Sequence, residues 1–109
     1  MLKFLEYHKD ADEDGCMHCY HVYLGTKKIG YFEITENYGA ETWLDIIELL
    51  PDLRNRGFGT QAVLWAAQKY KKIYLQALSE DSARLYRRLG HELLPDTQEL
   101  SEQVFVIEG

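Results

Sequence analysis

The sequence predicts an α+β fold: a mixed, mostly antiparallel sheet of about six to seven strands with two main helices. Three observations carry this. The front half is a series of short runs rich in Tyr, Val, Ile and Phe, separated by acidic or Gly-containing turns. The hydrophobic period then changes from two to helical after Pro51, and beyond that point strand-like and helix-like segments alternate. At 109 residues, 46% of them hydrophobic and 28% charged, the chain matches one core, and a single domain over 1–109 is expected.

The elements follow in order. "LKFLEYH" reads as a strand and "KDADEDG" as an acidic turn ending in Gly. "CMHCYHVYL" and "KIGYFEIT" flank "GTK", a connection of hairpin length, and so form an antiparallel pair. After "ENYGAE", the run "TWLDIIELL" is a strand that stops at Pro51, which has no N–H and a fixed φ. From Thr60, "TQAVLWAAQKYKK" places Val63, Ala67 and Tyr70 on one helical stripe, with lysines in the last turn where the macrodipole favours them. "IYLQAL" returns to strand. "SEDSARLYRRLG" is a second helix, with Ser79 as N-cap, Glu80 and Asp81 in the first turn, Ala83, Tyr86 and Leu89 on one face and Gly90 at its end. "QVFVIE" is a final strand, and "HELL" before it is a candidate for another.

Charge narrows the function. A net charge of −6 and a pI near 5.1 oppose nucleic-acid binding, which needs clustered cations, and favour amines or Lys-rich segments as partners. No run of about 18 apolar residues occurs and "MLKFLEYHKD" lacks a signal-peptide core, so no membrane association and a cytoplasmic location are expected. In "CMHCYH", strand alternation sends Cys16 and His18 to one face and Cys19 and His21 to the other, against both a four-ligand metal site and an easy disulfide. "DADED" lacks the ligand spacing and distal Glu of a calcium loop, leaving a solvated turn. No metal is expected.

The chemistry concentrates in "RNRGFGT", Arg54 to Thr60. The Gly-Lys-Ser/Thr ending of a nucleoside-triphosphate loop is absent. A dinucleotide fingerprint is formally matched by Gly57, Gly59 and Ala62, with Glu80 about 20 residues on, but an antiparallel meander precedes it instead of a doubly wound sheet. The third reading also uses the arginines. A strand, a loop with Arg54, Arg56 and two glycines, and a helix N-terminus together offer N–H groups, a positive dipole end and guanidinium charge to a pyrophosphate. A Gly-rich turn with solvated arginines is the competing structural reading.

Here the chain resembles a known family. Arg54-Asn55-Arg56-Gly57-Phe58-Gly59 is similar to the Gln/Arg-x-x-Gly-x-Gly/Ala signature of the GNAT superfamily of N-acetyltransferases, and "SARLYRRLGHE" resembles that family's Ala-x-x-Leu-Tyr-x-x-Leu-Gly-Phe segment. The two motifs, in the family's order, span roughly Thr42 to Leu93. The resemblance implies a GNAT-like sheet and an acetyl-coenzyme A cosubstrate. Its pyrophosphate would be bound by Arg54, Asn55, Arg56, Gly57, Phe58, Gly59 and Thr60, and its pantetheine arm would lie beside the strand ending at Leu49 and Leu50. The acceptor would be a primary amine, on a small molecule or as a Lys or N-terminal amine of a peptide. Direct attack in a ternary complex then needs an acid for the departing thiolate and a base for the amine. Tyr86 matches the family's tyrosine acid, although its place on an apolar stripe also suits core packing. Asp45, Glu48 or a water is the base; Asp45 and Glu48 are three apart, so alternation sends them to opposite faces unless a bulge intervenes.

Three departures from the family pattern bear on the acceptor. The two helices usual after the first strand are replaced by about seven turn-like residues, which leaves the acceptor site open or completed by another chain, so a homodimer is among the expectations. Glu80 stands where the family often has Asn, and His91 where it has Phe. A non-catalytic acyl-coenzyme A binding module and a dinucleotide-binding domain remain as alternatives.

Overall fold

The computed structural model describes residues 2–54, 56–93 and 103–109. They form seven strands, β1 (Leu2–Ala11), β2 (Gly15–Leu24), β3 (Lys27–Asn37), β4 (Thr42–Leu49), β5 (Lys72–Ala77), β6 (His91–Leu93) and β7 (Gln103–Glu108), with helices α1 (Phe58–Tyr70) and α2 (Glu80–Leu89). The sheet order is β1-β2-β3-β4-β5-β7-β6. Every pairing is antiparallel except β4 with β5, whose connection runs through α1. The expected fold class holds, and "HELL" supplies β6 through Leu93.

Several boundaries shift by one to three residues from expectation, and two of the shifts have a clear cause. β1 continues through Lys9, Asp10 and Ala11, so the acidic segment is mostly strand and only residues 12–14 turn. An edge strand has a solvated side and tolerates such charge. The Asp12 carboxylate closes the turn by accepting from the N–H groups of Asp14 at 2.8 Å and Gly15 at 3.0 Å. α1 starts at Phe58, two residues before Thr60, because Gly57 at φ +82° serves as its N-cap.

Alternation assigns the faces. Tyr20, Val22, Phe32, Ile34, Leu44, Leu75, Phe105 and Ile107 point to one side, where Val63, Ala66 and Ala67 of α1 and Ala83 and Tyr86 of α2 complete a single buried cluster. Phe4, Tyr20, Phe32 and Trp65 interlock within it at ring separations of 4.8 to 5.9 Å. Among the described residues no helix covers the opposite face, which carries Tyr7, Cys19, His21, Tyr31, Glu33, Trp43 and Tyr74.

β3 and β4 run unusually close at Gly30. A Cβ there would lie 2.2 Å from the Glu48 carbonyl oxygen and 3.1 Å from the Leu49 Cα, both backbone atoms that cannot swing aside. Gly30→Ala is therefore expected to lower unfolding stability by about 1–3 kcal/mol, as for an overpacked core site. Urea denaturation of the variant against the parent measures it; an unchanged midpoint would show that the two strands are not pinned there.

Candidate active site

The parallel ladder between β4 and β5 is two residues long, Trp43 opposite Tyr74 and Leu44 opposite Leu75. Beyond Leu44 the strands part, and the edge of β4 facing β5 has no strand to pair with. The β3–β4 register explains where this happens: Ile34 faces Leu44 and Glu33 faces Ile46, which leaves Asp45 as the extra residue of a β-bulge. A bulge bends its strand and increases local twist, and this one falls directly after the last paired residue.

The bulge also changes which acids share a face. Glu48 lies opposite Tyr31 on the helix-free face, and Asp45 accepts a hydrogen bond from the Thr35 hydroxyl, which belongs to that face too. Simple alternation would have separated them. They are not equivalent, however, because Glu48 lines the cleft between the parted strands while Asp45 is turned towards β3.

That cleft has a volume of about 1430 Å³ and is walled by the end of β4, the start of α1 and one side of α2. Of the candidate residues, it gathers Glu48, Leu49, Arg54, Gly57, Gly59, Thr60 and Tyr86. Leu50, Arg56 and Asp45 are not on its wall, the Phe58 side chain packs against the core, and Asn55 lies outside the described residues. Three arginines not singled out from the sequence, Arg84, Arg87 and Arg88, also line it. The signal for them was present: "RLYRR" puts Arg84 three and four residues from Arg87 and Arg88, on neighbouring positions of one helix surface. The chain has only five arginines, so four of the five converge on one cavity of an acidic molecule.

The two helix N-termini are built differently. α2 is self-contained: Ser79 accepts from the Ser82 N–H at 3.1 Å, and Glu80 and Asp81 face its positive end. α1 has a glycine N-cap, no side-chain cap and no acid in its first turn. Its first N–H groups have no intrahelical acceptor and open beside Gly59. Gly59 itself has no structural need to be glycine, since its φ is not positive and an added Cβ would meet only the Leu49 Cδ1, at 3.9 Å. A missing side chain there leaves room for something outside the chain. Arg54 flanks this space, its Nε–H donating to the Leu49 carbonyl at 3.4 Å.

Tyr86 is buried, with its ring 5.9 Å from that of Phe105 in an edge-to-face contact, so it is both a core aromatic and a wall of the cleft. Burial pushes its phenol above the ordinary value, opposed in part by the Ser82 hydroxyl. The group therefore keeps its proton throughout the neutral range. The arrangement can bind an extended polyanion, expose strand N–H and C=O groups to it, and present a carboxylate and a phenol near its far end.

A sheet that parts after two parallel pairs, followed by an uncapped glycine-loop helix, is the arrangement that the resemblance to N-acetyltransferases implies. The family model described as "Acetyltransferase (GNAT) family" matches residues 2–91, and the chain belongs to that family. A comparison with curated proteins gives no significant sequence match. Similar solved structures include a GNAT family acetyltransferase from Elizabethkingia anophelis with acetyl-CoA bound (TM-score 0.67, 16% identity, covering 99% of this chain and 98% of that one). The IAA acetyltransferase from Bacillus cereus is similar at TM-score 0.69 and 14% identity, covering 100% and 99%. The PaiA N-acetyltransferase from Thermoplasma acidophilum, in complex with coenzyme A, is similar at TM-score 0.66 and 17% identity. That match covers 85% of this chain, which spans 61% of the Thermoplasma chain. These likenesses show the fold.

Inorganic pyrophosphate at millimolar concentration is expected to raise the melting temperature of the parent chain and not that of Gly59→Trp, whose indole would fill the space before α1. Equal shifts in the two proteins would mean that the anion binds elsewhere.

Proposed function

We propose that the chain transfers the acetyl group of acetyl-coenzyme A to a primary amine by direct attack in a ternary complex. The observation that supports this most is the uncapped N-terminus of α1, with Gly59 and Arg54 beside it, opening onto the unpaired edge of β4. Pyrophosphate suits the first end of that path and pantetheine amides suit the second, since unpaired strand groups need hydrogen-bond partners. Arg84, Arg87 and Arg88 add positive charge for the remaining phosphate of the coenzyme.

The neutral amine attacks the thioester carbonyl carbon, and the oxygen that gains charge is stabilised by N–H groups of the free β4 edge. Glu48, directly or through a water, takes a proton from the attacking nitrogen. The carbon–sulfur bond then breaks and Tyr86 gives its proton to the thiolate. A phenol raised by burial keeps its proton at neutral pH, so the donor is protonated when the thiolate departs. Asp45, engaged by Thr35, is the less suited of the two acids.

Glu48→Gln is expected to lower kcat about 100-fold with little change in coenzyme affinity, and Asp45→Asn to stay within a few-fold of the parent. Tyr86→Phe is expected to lower kcat by about 100-fold or more. Because the Tyr86 pKa is raised, its deprotonation should not limit the rate below about pH 10. Thiol release from acetyl-coenzyme A over a panel of amines checks all three. Coenzyme-dependent thermal stabilisation without thiol release from any amine would make the chain a non-catalytic acyl-coenzyme A binder. Stabilisation by NAD and none by coenzyme A would end the proposal.

Removing the 3′-phosphate isolates the arginines' part. Dephospho-coenzyme A is expected to bind about tenfold more weakly than coenzyme A, a difference that shrinks in Arg84→Gln/Arg88→Gln. Isothermal titration measures both, and equal affinities for the parent chain would remove the arginines from donor recognition.

A further inference from the structure

The helix-free face of the sheet has a second cavity, of about 250 Å³, at the C-terminal end of β4. Its walls are Tyr7, His21, Tyr31 and Leu50, with Gly30 below and Lys28 at one side. Each wall has a traceable origin. A register shift between Glu6 and His8 makes Tyr7 a bulged residue of β1, and its ring stacks on His21 at 3.7 Å and 16°. Burial and the nearby Lys28 ammonium both hold the His21 imidazole below its usual pKa, so the stacked pair is uncharged at neutral pH. Leu50 follows the last residue of β4 and is 38% exposed, and Tyr7 is 48% exposed: apolar surface left open beside the cavity.

This cavity adjoins the donor cleft. Tyr31 is the direct cross-strand partner of Glu48, and such pairs have Cβ atoms about 5 Å apart. Glu48 also lines the donor cleft, so the second cavity's Tyr31 and the cleft's Glu48 are paired residues of adjacent strands. At Gly30, which also lines the second cavity, an added Cβ would lie 2.2 Å from the Glu48 carbonyl oxygen.

We infer that the Tyr7–His21–Tyr31 cavity is the acceptor subsite, and that it takes a primary amine carried on one aromatic or compact apolar body without a second positive charge. The inference rests on the acetyl-transfer reading above. Its volume equals that of about eight water molecules, room for a single ring on a short chain. The ring stack and Leu50 favour an apolar body, and Lys28 repels a second cation. The net charge of −6 by itself favours polyamines, but the charged side chain among this cavity's lining residues is Lys28.

The test compares 2-phenylethylamine, methylamine and spermidine as acceptors for the intact chain saturated with acetyl-coenzyme A. The expected order places 2-phenylethylamine about tenfold or more above both others in kcat/KM. Tyr7→Ala should raise its KM about tenfold while leaving the coenzyme A thermal shift unchanged, and Lys28→Glu should move the preference towards spermidine. A parent preference for spermidine, or a Tyr7→Ala variant that binds coenzyme A normally and keeps the parent's KM, would overturn the inference. A binding readout separates this outcome from failure of acetyl transfer itself. In the coenzyme A complex, 2-phenylethylamine should shift the His21 ring proton resonances by NMR at concentrations where spermidine does not. Unmoved His21 signals overturn the subsite whether or not turnover is seen, whereas shifted signals without thiol release leave the subsite standing and end the transfer reading.

Discussion

The site depends on a pairing that stops. Parallel strands joined by a helix ordinarily stay paired along their length, yet β4 and β5 share two residue pairs and then separate. The separation begins at Asp45, the bulged residue, where an extra residue on the β3 side turns the strand away from β5. Trp43 and Tyr74, with rings 5.5 Å apart, close the sheet just before that point. Everything used by the proposed chemistry lies beyond it: the free strand edge, Glu48, and the route from the start of α1 to Tyr86.

Electrostatics then distinguishes the two helix starts that border the cleft. At α2 the chain satisfies its own N–H groups with Ser79 and neutralises the dipole with Glu80 and Asp81. At α1 it does neither, although acids are abundant in the sequence. The first turn of α1 and four of the five arginines thus bring positive charge to one cavity of an acidic molecule, where Arg84 also pairs with Asp81. A ligand with several phosphates meets guanidinium charge and helix N–H groups there.

Most of the fold was legible because its signals are local. Alternation in "CMHCYHVYL" gives the correct faces for Cys16, His18, Cys19 and His21, the Ser79 cap forms, and Pro51 ends β4 by opening a 3-10 turn. The parts not legible are relational. Whether Asp45 and Glu48 share a face is decided by the register of β4 against β3, and no property of "LDIIEL" alone reveals the bulge. The Arg84, Arg87 and Arg88 side chains could be placed on a helix surface from their spacing, but the strand they oppose is more than thirty residues earlier. The strand character of "KDA" was hidden by composition, since edge position, and not propensity, makes lysine and aspartate acceptable there.

A sheet with one face free of helix among the described residues gains from ties within the sheet. At the end of the sheet away from the cleft, His18 on β2 is buried with Nδ1 at 2.6 Å from Glu6 on β1 and Nε2 at 3.2 Å from Glu36 on β3. One imidazole thereby joins three adjacent strands. Next to it, the hydroxyls of Tyr20 and Tyr70 meet at 2.6 Å and fix the end of α1 to the same strands. Burial raises both phenols, so this tie is present below about pH 10 and is lost as pH rises through the raised values. The two ends of the meander are therefore held by opposite means, polar groups at one and the Gly30 backbone contact at the other. The bulges of β1 and β4, which shape the Tyr7 cavity and the cleft, lie between these fixed ends, and the openings they create need no helix to hold them.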